Sequence, residues 1–184
     1  KMSKQEALPI LAKACVAAEK LTGVPAELSL AQAALESGWL QFAPGANCHG
    51  IKYNRNRHGA RQLLTTREWF TEAEKMRFLA LGDSREVVTA TGATNGNRKE
   101  YKVKDWFAKF HQLSDCIAEH ASLISTGKPY AQAWAAYQTH RNWRVLLQDI
   151  GPIYATSPDY ARTVESMVSS DVVAAIQAAR NGAL

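Results

Sequence analysis

What this chain lacks narrows the field first. No apolar run approaches the roughly 18–20 residues that a bilayer-spanning helix needs. The longest mostly apolar tract, Leu28 to Leu35, is broken by Ser29 and Gln32, so membrane insertion is not expected. Cysteine is scarce and odd in number: Cys15, Cys48 and Cys116, with no CxxC spacing. That argues against a structural zinc site and against a disulfide framework. Cys15 and Cys116 read as small buried hydrophobes. His111, His120 and His140 show no metal-ligand spacing, and neither a metal nor another cofactor is expected. There is no glycine-rich phosphate loop, internal repeat, low-complexity segment or linker. No Ser/His/Asp or Cys/His arrangement is supported, since Cys48 and His49 are adjacent and project differently. No charged and apolar leader follows Met2, and Lys1 ahead of it reads as a tag remnant. An extracellular substrate would then call for a phage-type release, or for a signal already removed.

What remains is an ordinary globular mixture: 184 residues, 46% apolar and 21% charged. It suits one domain over residues 1–184, acting as a monomer, large enough to bury a real core. Lys and Arg number 22 against 17 acids, a formal charge of +5. This modest excess suits an anionic polymer. The basic residues are dispersed, with Arg55-Asn56-Arg57-His58 the closest cluster, so nucleic acid is not the expected partner.

Along the chain, Ser3 and Glu6 fit a capping box for a helix over residues 3–22, although Pro9 fits poorly inside it and could open the regular part. A second helix runs from Pro25, its opening residue, to Gly38, its stop. Residues 41–70 look like loop with at most short strands. "TEAEKMRFLALG" suits a short helix. Asn95-Gly96 between "EVVTAT" and "EYKVKDWFAKF" predicts a β-hairpin. From Ser114, taken as a cap, the chain is helical again: "DCIAEHASLIST" to Gly127, a segment opened by Pro129, "NWRVLLQDIG", a helix after Ser157-Pro158, and a last helix capped by Asp171. The expected class is α+β, mainly α, with a small β lobe inserted over roughly residues 41–110 and a substrate cleft beside it. Trp106, Trp134 and Trp143 read as core.

Glu36 stands out. It ends an alanine-rich helix and is followed at once by Ser37, Gly38 and Trp39. The last helical turn presents unpaired carbonyls, which disfavour a carboxylate. Packing beside Trp39 and Leu35 adds desolvation. Both favour the protonated form, the state a general acid requires. Gly38 would let a polymer approach, and Trp39 could stack on a sugar face.

These residues also carry a resemblance. "GVPAELSLAQAALESGW" followed by "NCHGIK" resembles the signature of the glycoside hydrolase family 73 glucosaminidases, which cut peptidoglycan. That family shows P-x-x-L-x-x-A-Q-x-x-x-E-S-G-W-G and then N-L-F-G-I-K. "TTREW" at residues 65–69 is similar to its T-T-x-E-Y segment. "YATSPDYARTV" at residues 154–164 is similar to its Y-A-T-D-P-x-Y-A-x-K-V segment, and "FAKFHQLSDCIAEHASLI" matches the stretch between more loosely.

The resemblance implies a lysozyme-like fold. It implies hydrolysis of the β-1,4 bond between N-acetylglucosamine and N-acetylmuramic acid in bacterial cell-wall glycan strands, the implied partner. Glu36 falls on the general acid and Glu68 on a second carboxylate proposed to activate water. Tyr154 and Tyr160 fall on the tyrosines of the late motif. Trp39, Asn47, His49 and Lys52 are put forward as substrate-binding positions, with Asn47 and His49 also readable as a loop clamp and a core ring. Leu40 replaces the usual glycine, Cys48-His49 replaces Leu-Phe, Ser157 replaces Asp, and residues 72–98 have no counterpart in the pattern.

Two routes stay open for the second half of the reaction. Glu68 could act as base for an inverting attack if it lies about 6.5–9.5 Å from Glu36; Glu72 and Glu74 are its neighbours. Otherwise the substrate's 2-acetamido group could attack, supported by a tyrosine. A lytic transglycosylase needing only Glu36, and an inactive wall-binding or phage structural module, are the alternatives.

Overall fold

Ser3 opens the first helix by the reciprocal bonding its sequence suggests. Its hydroxyl accepts from the Glu6 N–H at 3.3 Å while the Glu6 carboxylate accepts from the Ser3 N–H at 2.7 Å. In the computed structural model, which describes residues 2–155 and 157–184, α1 then runs Lys4–Thr22. Lys1 and Thr156, the latter inside the "YATSPDYARTV" stretch, lie outside the described residues. Pro9 sits within α1 rather than opening it. The missing N–H costs one backbone bond, offset by burial of Leu8, Leu11, Ala12 and Cys15 on the same helix.

The second helix, α2, spans Ala26–Ser37, after Pro25 and before Gly38 at φ 55°. It is buried on nearly every side: Leu28, Ser29, Leu30, Ala31, Gln32, Ala33 and Ala34 are all at 0% exposure. Alanine is what allows this, because small side chains let neighbouring helices close on a central one.

The middle of the chain carries β1 (Arg61–Phe70), α3 (Glu72–Ala80), β2 (Glu86–Asn95) and β3 (Arg98–Ala108). The strands form an antiparallel sheet in the order β1-β3-β2, with Glu68 opposite Tyr101. The ten-residue β1 corrects the expectation of loop with short strands. Its exposure does not alternate cleanly, so the period-2 signal of a half-buried strand is absent. Asn95-Gly96 closes the β2–β3 hairpin, as the residues suggest, and Thr71 caps α3 through a second capping box.

Five helices follow among the described residues: α4 (Leu113–Thr126), α5 (Ala131–His140), α6 (Trp143–Tyr154), α7 (Tyr160–Ser166) and α8 (Ser170–Arg180). Two caps differ from expectation. Gln112, not Ser114, precedes α4, because Leu113 already packs against the core as helix. Ser169, not Asp171, precedes α8; Asp171 lies in the first turn, where its carboxylate accepts from the Val172 N–H at 3.0 Å and pairs with Lys4 at 2.9 Å. Trp134 and Trp143 pack half-buried on the core. Trp106 does not: its indole N–H donates to the Asp83 carbonyl at 2.6 Å and Arg61 lies over its ring.

The chain divides into two units. One comprises the segments up to Ile51 and from Phe110; the other is Lys52–Lys109. In the first, apolar residues of α1, α2, α4, α6, α7 and α8 share one core. Arg180 of α8 ties that core's surface, bonding Glu19 of α1 at 2.7 and 3.0 Å and Glu27 of α2 at 2.8 and 2.9 Å. In the second, Phe78, Tyr101 and Val103 form a small core with Phe70 and Val87 beside them. The class is mainly α with a small three-stranded antiparallel sheet.

Candidate active site

The backbone after α2 turns sharply. Gly38, Trp39 and Leu40 are three consecutive left-handed residues, at φ 55°, 57° and 64°. Ser37 holds the turn: its hydroxyl donates to the Ala33 carbonyl at 2.6 Å and accepts from the Leu40 N–H at 2.9 Å, while its carbonyl accepts from the Phe42 N–H at 2.9 Å. The left-handed φ at position 40 is a physical reason for glycine there. A leucine carries a steric cost of about 1–2 kcal/mol.

Glu36 is presented at the end of α2, just ahead of this turn. Part of its surface is open to solvent, yet the protein packed around its carboxyl raises its pKa by desolvation. The direction is the one a proton donor needs. Trp39 is half-buried, with Lys4 Nζ 4.9 Å from its ring centre.

Two tyrosines lie near enough to Glu36 that its charge raises both. Burial is the larger cause in each case, and it holds the Tyr154 and Tyr160 phenols protonated well above their ordinary range. Their rings stack at 5.4 Å. Tyr160 is fixed by Gln32, whose amide donates to the phenol oxygen at 2.9 Å. The phenol proton is thereby left to be given elsewhere. Tyr154 meets His120 edge-on at 5.7 Å, and His120 stacks face to face on His49 at 3.7 Å with 5° between the planes.

His49 is therefore in the core. It is 4% exposed, and neither its nitrogens nor those of His120 have a hydrogen-bond partner among the described residues. It sits as an apolar aromatic ring would, which is how a histidine can stand where the family pattern has phenylalanine. Neutrality follows from burial, which pushes His49 well below its ordinary pKa and His120 to about 3. Asn47 is buried too and clamps the same loop: its amide donates to the Ile51 carbonyl at 2.9 Å and its oxygen accepts from the Ile51 N–H at 2.9 Å.

Glu68 and Lys52 belong to the strand-bearing unit. Lys52 Nζ bonds Glu68 at 2.7 Å and Asp105 at 2.8 Å, and lies over the Phe107 ring. Arg85 closes the cluster on Asp105 at 2.8 Å. Burial alone would raise the Asp105 pKa, but its bonds to Lys52 and Arg85 outweigh that and hold it below the ordinary range.

The structure thus gathers Glu36, Tyr154 and Tyr160 in one unit, with Asn47 and His49 as buried supports there, and pairs Glu68 with Lys52 in the other. Sequence reasoning missed Gln32, Asp105 and Arg85. Gln32 had a usable signal, a lone amide inside an apolar helix, where burial without a partner is costly. The other two had none.

Residues 12–171 match the family described as mannosyl-glycoprotein endo-beta-N-acetylglucosaminidase. The chain is 30% identical over 158 residues to the peptidoglycan hydrolase FlgJ of Salmonella typhimurium, covering 82% of this chain and 41% of FlgJ. FlgJ of Escherichia coli K12 matches to the same extent. The chain therefore spans about two fifths of the length of these curated relatives. Among solved structures, a C-terminally truncated glycoside hydrolase domain of Salmonella typhimurium FlgJ is similar at TM-score 0.60 and 26% identity, covering 90% of this chain and 95% of that one. The catalytic domain of the Listeria monocytogenes autolysin Auto is similar at TM-score 0.65 and 19% identity, covering 95% and 86%, a likeness of fold.

Proposed function

The chain belongs to the glucosaminidase family of glycoside hydrolases, and on that premise we propose that it hydrolyses the β-1,4 bond on the reducing side of N-acetylglucosamine in peptidoglycan. One observation carries the reading: a carboxyl with a raised pKa at the end of a buried helix, beside two tyrosines kept protonated. Glu36 donates its proton to the departing sugar oxygen as the bond breaks. The oxocarbenium-like centre is then met from the other face.

In this proposal Glu68 is the second carboxylate, oriented by Lys52, and activates the attacking water. A second reading has its own support. Glu68 is already engaged by a cation at 2.7 Å, whereas Tyr160, bound through its oxygen by Gln32, has its proton available. The substrate's acetamido oxygen would then attack the anomeric carbon, and a tyrosine would hold the acetamido group. The whole chain acts as one catalytic domain and as a monomer on the bacterial cell wall, with Trp39 on a sugar face and Asn47 and His49 shaping the loop beside it.

The test is the product of digesting purified peptidoglycan. Mass spectrometry should find reducing N-acetylglucosamine ends; anhydro-muramyl ends would replace the hydrolase with a transglycosylase. Early NMR spectra of the new reducing end separate the two routes. An α-anomer together with an inactive Glu68→Gln variant fits the Glu68 base. A β-anomer with Glu68→Gln still active fits the acetamido route.

A further inference from the structure

Cys48 and Cys116 come from places far apart in the chain and meet in the core. Their sulfurs are 3.8 Å apart across 68 residues of sequence. Cys116 is fixed on α4. Cys48 lies in the irregular loop that Asn47 clamps, between the left-handed Ala46 and Gly50. The Cys48 thiol donates to the Cys116 sulfur, and the Cys116 thiol reaches Asn47 Oδ1 at 3.6 Å. Nothing in the glycosidase chemistry uses either sulfur, and leucine stands at position 48 in the family pattern. A disulfide needs its sulfurs at about 2.04 Å, so the pair must close by roughly 1.8 Å, a movement available to a side chain on a loop.

We propose that Cys48 and Cys116 form a reversible disulfide, made by exchange with a low-molecular-weight disulfide such as oxidised glutathione. The Cys116 thiolate attacks one sulfur of the external disulfide and expels the other half as a thiolate. Cys48 then gives up its proton and attacks the Cys116 sulfur of the mixed disulfide, expelling the second half. One disulfide is formed in the protein and one external disulfide becomes two thiols. Access comes when the loop lifts, because both sulfurs are buried in the closed state.

The local geometry assigns the roles. The Cys48 thiol, then burial opposed by the backbone N–H groups of His49 and Cys48, leave Cys116 with a lowered pKa; Cys48, the donor, is raised. Cys15 is also buried, and desolvation with Glu19 nearby raises its thiol strongly, which makes it a poorer nucleophile than Cys116. The bond would join the chain just before it leaves the helical unit at Ile51 to a point just after it returns at Phe110. Residues 52–109 would then hang from a covalently closed neck, with Asn47 and His49 locked against α4.

The experiment is redox titration of the purified chain with glutathione, read by intact mass, thiol count and non-reducing peptide mapping. The expected result is loss of about 2 Da and two thiols, leaving Cys15 free, with a single Cys48–Cys116 cross-linked peptide. The unfolding temperature should rise by about 5–10 °C on oxidation and return with dithiothreitol. Cys48→Leu, which restores an apolar side chain of similar bulk, should fold and show no such response. Three free thiols in excess oxidised glutathione, or a cross-link through Cys15, would overturn the proposal. Cleavage of peptidoglycan has no bearing on these readouts.

Discussion

The two units of this chain are held together by different physics. The helical unit buries a broad apolar core around α2, and its most buried polar rings, His49 and His120, have been made to behave as apolar ones. The strand-bearing unit has only a small apolar cluster, Phe78, Tyr101 and Val103, and carries a set of ion pairs: Lys52 with Glu68 and Asp105, Arg85 with Asp105, Arg98 with Glu74, Arg61 with Asp83. The difference teaches where tolerance lies. The acid and the tyrosines sit on the unit that cannot shift without losing core contacts. Glu68, proposed above as the second carboxylate, sits on one whose bonds respond to salt.

The largest effect should come from breaking the apolar side. Ile117→Ala, at a position with 0% exposure on α4, should cost about 2–5 kcal/mol, read by urea unfolding. Val103→Ala in the small core removes less surface and should cost about 1–2 kcal/mol, loosening amides in 52–109 first by hydrogen exchange.

Acid should separate the units next. The folded His120 titrates at about 3 against about 6.5 when unfolded, and His49 is shifted the same way. Unfolded chains therefore bind protons that the folded chain refuses as pH drops below about 6.5, and stability falls by roughly 1.4 kcal/mol per pH unit for each group. Asp105, whose folded pKa is depressed, contributes stability that is lost only as pH falls below the ordinary carboxylate range. Between pH 6 and 4.5 the helical unit should weaken first. His49→Phe should reduce that slope by about half, measured as unfolding temperature against pH. A slope unchanged in the variant would contradict the picture of a neutral stacked pair.

How much of this was legible in the sequence follows from how local each cause is. The ends of α1 and α2 and the β2–β3 hairpin are set by residues within four positions of one another, and all were readable. So was Glu36, because a helix end, a glycine and a tryptophan are adjacent to it. β1 was not, since none of its residues is fully buried and RQLLTTREWF shows no clean apolar–polar alternation. Gln32 with Tyr160, and His49 with His120, are contacts that only the tertiary fold creates. Glu68 was picked out by its motif, but its engagement by Lys52 and the neighbouring Asp105 depends on strand register.

Smaller effects sharpen the contrast further. Salt at about 1 M should cost the strand-bearing unit on the order of 1 kcal/mol by screening exposed pairs, with little change in exchange of α2 amides. Smallest of all, Leu40→Gly should relieve the left-handed backbone while losing half-buried packing, and stay within about 1 kcal/mol of the parent.

The most direct measurement is the rate at which the parent and a Glu36→Gln variant, matched in unfolding temperature, clear a suspension of purified peptidoglycan. The account predicts a loss on the order of 10³-fold in the variant, and a parent rate that falls as pH rises through the elevated Glu36 pKa, where the donor loses its proton. Equal clearing by the two proteins would contradict it, and so would a parent with no clearing at all, which is what a wall-binding module would give.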